Sequence, residues 1–307
     1  MTATVEAVET VEDVPARVET PFRRFVMEYS ESKVAVAAFF GFVAIVFIAL
    51  FANWITPQNP HDLMQIDILD NLLPPGSEAL VGYTYVLGTD GQGRDMLSAI
   101  FFGLRISIFV GVASGLAAFV IGMFVGLISA YAGGRVDAFI MRVVDLQLGF
   151  PTILIALVLL AALGQGVDKV IFALIVVQWA YYARTVRGTA LVERRREYVE
   201  SAECLALGRF RIILKHLLPN CLPPLIVIGT VQVAHSIALE ASLSFLGVGL
   251  PPTEPSLGLL IANGREYMFG GHYWISVYPG IALLIVIGAI NLMGDQLRDV
   301  LNPRLNR

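Results

Sequence analysis

Long apolar stretches alternate with short polar connections along this chain. Val34–Ile55, Ile106–Ala132, Leu146–Val167 and Tyr273–Gly294 contain no Asp, Glu, Lys or Arg. Each is near or above the roughly 20 helical residues that cross a bilayer. Two further stretches are less clean. Val170–Ala183 is short and continues into Arg184 and Arg187, and Cys221–Gly247 carries His235 and Glu240. Backbone groups in lipid must be satisfied internally, and barrel strands would be near 10 residues and alternate. The pattern therefore predicts an all-α polytopic membrane protein with six transmembrane helices in a single membrane domain.

The expected boundaries follow. Residues 1–33 form an acidic, polar N-terminal tail, read as disordered and not as a signal peptide, because no short apolar stretch ends in a small-residue cleavage site. The first span covers 34–56, and residues 57–100 form an outer loop rich in proline and glycine. A core at 101–297 holds five more spans, and 298–307 is a C-terminal tail. Composition agrees: the 307 residues are 56% hydrophobic. Orientation is set by Lys and Arg and not by the net charge of −4. With six spans, seventeen of the 21 basic residues fall on the side that holds both termini, which predicts cytoplasmic termini. Cys204 and Cys221 lie on or near that reducing side and show no metal-ligand spacing.

Smaller signals refine the picture. The stretch GTDGQGRD at 88–95 has phosphate-loop glycines, but no strand precedes it and no Gly-Lys-Ser/Thr follows. Gly111, Gly115, Gly122 and Gly126 are spaced by 4, 7 and 4 and share one helical face, which predicts close packing against a neighbouring helix. The sharper alternative is a wall of a path or of a subunit interface. Pro151 after Gly149-Phe150 predicts a kink in the third span, and Arg142 with Asp145 has i, i+3 pairing distance. Ser256–Ala262 reads as a short amphipathic piece capping the outer mouth, with Tyr273, Trp274 and Tyr278 as interfacial aromatics. Arg105 and Glu240 are intramembrane charges on the second and fifth spans and are expected to pair near the outer end, with His235 a hydrogen-bonded packing residue.

The segment 193–219 differs from everything around it. Ten charged residues lie between Glu193 and Lys215. Burying them in the bilayer would cost on the order of 30 kcal/mol, so the segment is not a span. Its periodicity is helical: Tyr198, Ala202 and Leu205 recur at i, i+4, i+7, and Phe210, Ile213, Leu214, Leu217 and Leu218 form a second face. Gly208 offers the stop between them. The two helices either lie on anionic lipid or dock a soluble partner.

The segment resembles the coupling loop of ABC importer permeases. That pattern opens Glu-Ala-Ala, has a glycine four residues after the last Ala, and closes near Leu-Pro. Here Glu200, Ser201 and Ala202 occupy the opening and Leu218-Pro219 the close, while the glycine position falls on Ala206 and Gly208 lies two residues on. LGTDGQGRDMLS at 87–98, YAGGRVDAFIMRVVD at 131–145, ASLSFLGVGLPP at 241–252 and NLMGDQLRDVLNPR at 291–304 narrow the resemblance to the second permease of the dipeptide, oligopeptide and nickel importer class.

The resemblance implies a type I, MetI-like bundle with a cytoplasmic coupling helix in a bacterial inner membrane. It implies a non-catalytic transport subunit that imports peptides, with nickel complexes or another small solute as the alternative cargo. The implied partners are a homologous second permease, two ABC ATPase subunits that bind the ATP and Mg2+, and an external substrate-binding protein. The outer loop at Val248–Trp274 is its expected contact. No cofactor in this chain and no nucleic acid are expected. Glu200 is expected to meet a basic group of an ATPase, with Ala202 and Leu205 filling the docking groove and Ser201, Ala206 and Gly208 completing the loop. An ion-coupled secondary transporter fits less well, because no inverted repeat and few buried acids are evident. No catalytic motif supports a membrane enzyme.

Overall fold

Apolar runs longer than a bilayer become long helices, because only an intrasegment ladder satisfies their backbone in lipid. The computed structural model describes residues 20–301 except Leu63 and Val81. Most of the expected N-terminal tail, and residues 302–307 of the C-terminal one, lie outside the described residues. The described part of the N-terminal tail is helix α1 (Pro21–Ser30), with proline at its start where no N–H is needed. Tyr29 meets Phe39 edge-on, and Gln296 Nε2 donates to the Glu28 carbonyl, so α1 is tied to two later helices.

The first span is α2 (Lys33–Leu50), capped by the Ser32 hydroxyl on the Ala35 amide, and the short α3 (Ala52–Ile55) follows. The connection to the next span is a built cap. It holds a two-stranded antiparallel hairpin, β1 (Ser77–Glu78) and β2 (Thr84–Tyr85), with Ser77 opposite Tyr85. The buried Asp70 carboxylate accepts from Tyr85 Oη at 2.9 Å. Buried Asp90 and Arg94 form an ion pair at 2.7 Å. The glycines of 88–95 serve this turn: Gly93 has φ +79°, and a Cβ there would lie 2.1 Å from the Asp67 carbonyl oxygen. Trp274, expected among the interfacial aromatics, packs under this cap. It is buried, and its indole N–H donates to the Thr89 carbonyl at 3.0 Å, so its one polar atom is satisfied by the cap.

Asp95 caps α4 (Met96–Ala132), which starts inside the expected loop. Its 37 residues give a rod of about 55 Å, far longer than the roughly 30 Å hydrocarbon layer, so part of it stands outside lipid. The glycine face of α4 is split between two neighbours. A Cβ on Gly111 or Gly115 would meet Ile237 or Val233, at 2.4 and 2.9 Å. A Cβ on Gly122 or Gly126 would meet the backbone of Trp179 or Ala183, at 2.4 and 2.5 Å.

The third expected span is not one rod. α5 (Gly134–Leu148) and α6 (Thr152–Leu163) meet at an angle of 89° across Gly149-Phe150-Pro151. Pro151 cannot donate and its extended backbone restarts the chain in a new direction, so the expected kink is a full break. The residues Leu146–Val167 therefore belong to three helices, the last being α7 (Val167–Glu193). Asp145 pairs with Arg184 of α7 and not with Arg142. Arg187 grips Asp137 with two bonds, at 2.5 and 2.6 Å, and Ser129 donates to the same carboxylate. The basic end of α7 is thereby bound to α5.

The chain ends with α10 (Leu218–Phe245), α11 (Leu257–Arg265) and α12 (Trp274–Leu301), which runs past the expected boundary at 297. Between α7 and α10 lie α8 (Glu197–Cys204), α9 (Arg209–Ile212) and a π-helical turn at Ile213–Leu217. Among the described residues five helices are long and apolar enough to cross a membrane, counting Arg209–Phe245 as one, and α5 with α6 makes a sixth as a bent pair. One buried cluster joins α2, α4, α10, α11 and α12 at the hairpin end. A second joins α4, α7, α8 and α10 at the other end, and a third packs α6 against α4, α7 and α10.

Candidate functional site

The most distinctive local structure is the reversal between α7 and α10. Its base is fixed by polar bonds. Arg194 donates to the carbonyl of Tyr131 at 3.0 Å and stands 5.1 Å over the Tyr131 ring. Tyr198 Oη donates to Glu193 at 2.7 Å and accepts from Asn220 Nδ2 at 3.1 Å, linking the end of α7 to the start of α10. Desolvation first, and then the Glu193 carboxylate, push the Tyr198 phenol up to about 12, so it stays a donor at physiological pH.

The tip is set by a helix stop that the sequence places elsewhere. Leu207 N bonds to Ala202 O, and Ala206 N bonds to Glu203 O. These are the 6→1 and 5→2 bonds of a Schellman motif, with Ala206 as the left-handed residue at φ +53°. Gly208, the expected stop, has φ −59° and ψ 138° and only begins α9. The bend thus falls on position 206, where the coupling-loop pattern has its glycine. Leu207 packs against the cluster containing Ala202, the apolar contact that accompanies this motif.

This stop decides which side chains face outward. Ala202 is 3% exposed and, with Val199, points into the protein, so Ala202 is not part of an external apolar face. Leu205 is 74% exposed and Phe210 77%. Glu200, Ser201, Cys204, Ala206 and Gly208 are exposed around them. The π turn after α9 adds residues per turn, so the expected second face is divided: Ile212 and Leu217 are buried while Phe210 and Leu214 are exposed. Glu200 sits in the first turn of α8, where its charge favours the helix N-terminus.

The expected Arg105–Glu240 pair does not form. Glu240 is fully buried, and its carboxylate accepts from Ser107 of α4 at 2.9 Å and from Ser244 one turn on at 2.8 Å. Leu257 N donates to Ser107 Oγ at 3.4 Å, so this cluster joins α4, α10 and α11. Arg105 is exposed on α4, and His235 lies on the exposed side of α10. A second buried contact, Gln178 with Ser236 at 2.6 Å, joins α7 to α10. Ser244 was legible as the i+4 neighbour of Glu240, but Ser107 and Gln178 carry no signal short of the fold.

Toward the α8 end, a cavity of 990 Å³ opens between α7, α10 and α12, with Leu148 at its edge. Tyr181, Arg184, Gln232, Asp295 and Arg298 give it a mixed polar lining. Gln232 Nε2 is buried there with no partner.

The long apolar helices and the polar reversal between two of them are those of a polytopic helical membrane protein. Residues 118–307 match the family of binding-protein-dependent transport system inner membrane components, to which the chain belongs. Residues 20–75 match the N-terminal TM domain of oligopeptide transport permease C. The Di/tripeptide transport system permease protein DppC of Pseudomonas aeruginosa is 35% identical over 93% of each chain. The Dipeptide transport system permease protein DppC of Escherichia coli K12 is 38% identical over 94% of this chain and 95% of the relative. A putative peptide transport system permease protein of Brucella suis is 40% identical over 85% of this chain and 84% of its own. Among solved structures, the inward-facing MetNI methionine ABC transporter has a chain with a TM-score of 0.56 at 20% identity. The match covers 67% of this chain and 98% of that one, which fixes a MetI-like permease fold.

Proposed function

We propose that this chain is a transmembrane subunit of an ATP-driven importer of dipeptides or short oligopeptides in a bacterial inner membrane. Both termini and the α8 reversal face the cytoplasm in this reading, which the excess of Lys and Arg on that side supports. A homologous second permease completes the path. Two ABC ATPase subunits hold ATP and Mg2+ and do the hydrolysis, and an external binding protein delivers the peptide to the hairpin end. The chain's own role is mechanical and not catalytic.

One observation carries the reading: an exposed apolar pair, Leu205 and Phe210, stands on a tip whose backbone is fixed by the Schellman stop at Ala206. Exposed apolar side chains on this tip, with Glu200 exposed in the first turn of the same helix α8, suit a groove in a soluble partner, where buried hydrophobic anchors supply most binding energy. Force on the tip passes to α7 through Tyr198 and Glu193, and to α10 through Asn220. The cavity lined by Gln232 and Asp295 is this chain's share of the peptide path, its amide and charges replacing water around a zwitterionic backbone.

The test is a native mass determination of the tagged chain in mild detergent, wild type and Glu200→Lys. We expect an assembly with a second permease and two ATPases, and a Glu200→Lys complex whose ATPase activity no longer tracks uptake. A chain that runs without any ATPase after gentle cross-linking, or normal uptake by Glu200→Lys, would contradict the proposal.

A further inference from the structure

A groove of 1330 Å³ runs between α2 and α4 at the end opposite the α8 reversal. Phe42, Val46 and Leu50 form one wall, and Phe109, Val112 and Leu116 the other. At one end the lining turns polar, with Asn53, Asn59, His61, Arg105 and Glu254. From Arg105 to Leu116 is eleven helical residues, or about 16 Å, which matches the roughly 15 Å of one leaflet's hydrocarbon. The groove thus has an apolar stretch one leaflet deep beneath a polar rim.

The rim is electrostatically unfinished. Arg105 is exposed and takes part in none of the ion pairs among the described residues. Glu254 Oε2 is buried with no hydrogen-bond partner, and the two side chains do not pair with each other. His61 fixes the rim by contacting the Thr253 carbonyl at 3.1 Å and meeting the Phe102 ring edge-on. A guanidinium suits the two oxygens of a phosphate, and a lone buried carboxylate oxygen needs an N–H donor. A headgroup with a phosphate and a primary ammonium meets both needs with no net charge.

We propose that this groove is a binding site for a phospholipid with a primary-ammonium headgroup, its phosphate on Arg105, its ammonium on Glu254 and an acyl chain between α2 and α4. The site needs only that the chain spans a bilayer. It stands or falls separately from the peptide cargo and from the ATPase partners.

The test measures lipid retained by the full chain with whatever subunits accompany it, purified in mild detergent from membranes containing phosphatidylethanolamine, by native mass spectrometry. Wild type should keep about one such lipid per copy of this chain. Arg105→Gln should lower retention by about tenfold or more, the worth of a charge-assisted hydrogen bond. Glu254→Gln should keep a phospholipid but lose the preference over phosphatidylcholine, whose quaternary ammonium has no N–H. Undiminished retention in Arg105→Gln would overturn the proposal. So would a cysteine placed at Val46 that cross-links to the second permease, because the groove would then be filled by protein. If the Arg105 variant does not assemble, wild type exchanged into phosphatidylcholine nanodiscs decides. Retained phosphatidylethanolamine supports the site, and complete exchange refutes it.

Discussion

Replacing Ala206 by glycine should tighten the tip of the reversal between α7 and α10. Ala206 sits at φ +53° as the left-handed residue of the helix stop. An L-residue with a Cβ pays about 1–2 kcal/mol there, and glycine pays roughly 0.5–1 kcal/mol in extra chain entropy. The net gain for Ala206→Gly is about 0.5–1 kcal/mol, which slows local opening roughly two- to fivefold. Two amides report it, those of Ala206 and Leu207, because they make the 5→2 and 6→1 bonds to Glu203 and Ala202. Hydrogen exchange followed by mass spectrometry on the peptide spanning α8 and α9 reads both. Ala206→Val places a β-branched side chain at the same positive φ and should accelerate the same amides severalfold. Unchanged or faster exchange in Ala206→Gly, or no effect of Ala206→Val, would refute the assignment of the stop to position 206.

Other outcomes follow from the same geometry. Glu240→Ala should destabilise the bundle by roughly 2–4 kcal/mol, since it strips the buried Ser107 and Ser244 hydroxyls of their acceptor, whereas Glu240→Gln keeps one and should cost less. The thermal midpoint of the purified chain measures both, and the charge exchange Arg105→Glu with Glu240→Arg should rescue neither single change. Gly126→Leu should prevent close packing of α4 on α7, because even a Cβ there lies 2.5 Å from the Ala183 carbonyl oxygen. Poor recovery of folded protein is expected, and normal recovery would contradict the contact. Exposed Cys204 should react with a maleimide in the free chain and be protected in the assembled transporter, while buried Cys221 should stay unlabelled in both.

The all-helical membrane class was readable because uncharged length is itself the requirement for crossing lipid. What apolarity does not carry is direction. The run Leu146–Val167 looks like one span, yet Pro151 breaks it by 89° and divides it among three helices. Charge pairing failed for a related reason. Arg142 and Asp145 satisfy a local spacing, but α7 brings Arg184 from 39 residues away to Asp145. Glu240 advertised a need for partners, and the sequence offered Arg105 as the nearest opposite charge in kind. The fold supplies hydroxyls instead, one of them 133 residues distant. At the reversal, the resemblance located the bend and the residue type misdirected it: glycine at 208 drew the expectation, while backbone geometry puts the stop at an alanine. The same stop turned Ala202 inward and left Leu205 and Phe210 as the exposed apolar pair, a distinction that periodicity over eight residues is too short to make.

ATP-driven uptake measured in a defined membrane addresses the proposed function most directly. The chain, its second permease and two ATPases are reconstituted in proteoliposomes with ATP on the α8 side and binding protein with labelled dipeptide on the other. Accumulation of the dipeptide that requires ATP and the binding protein, and that is lost in Leu205→Ala with Phe210→Ala although the bundle stays folded, is the predicted result. Accumulation that follows an imposed ion gradient without ATP, or that survives removal of both apolar side chains, would contradict it.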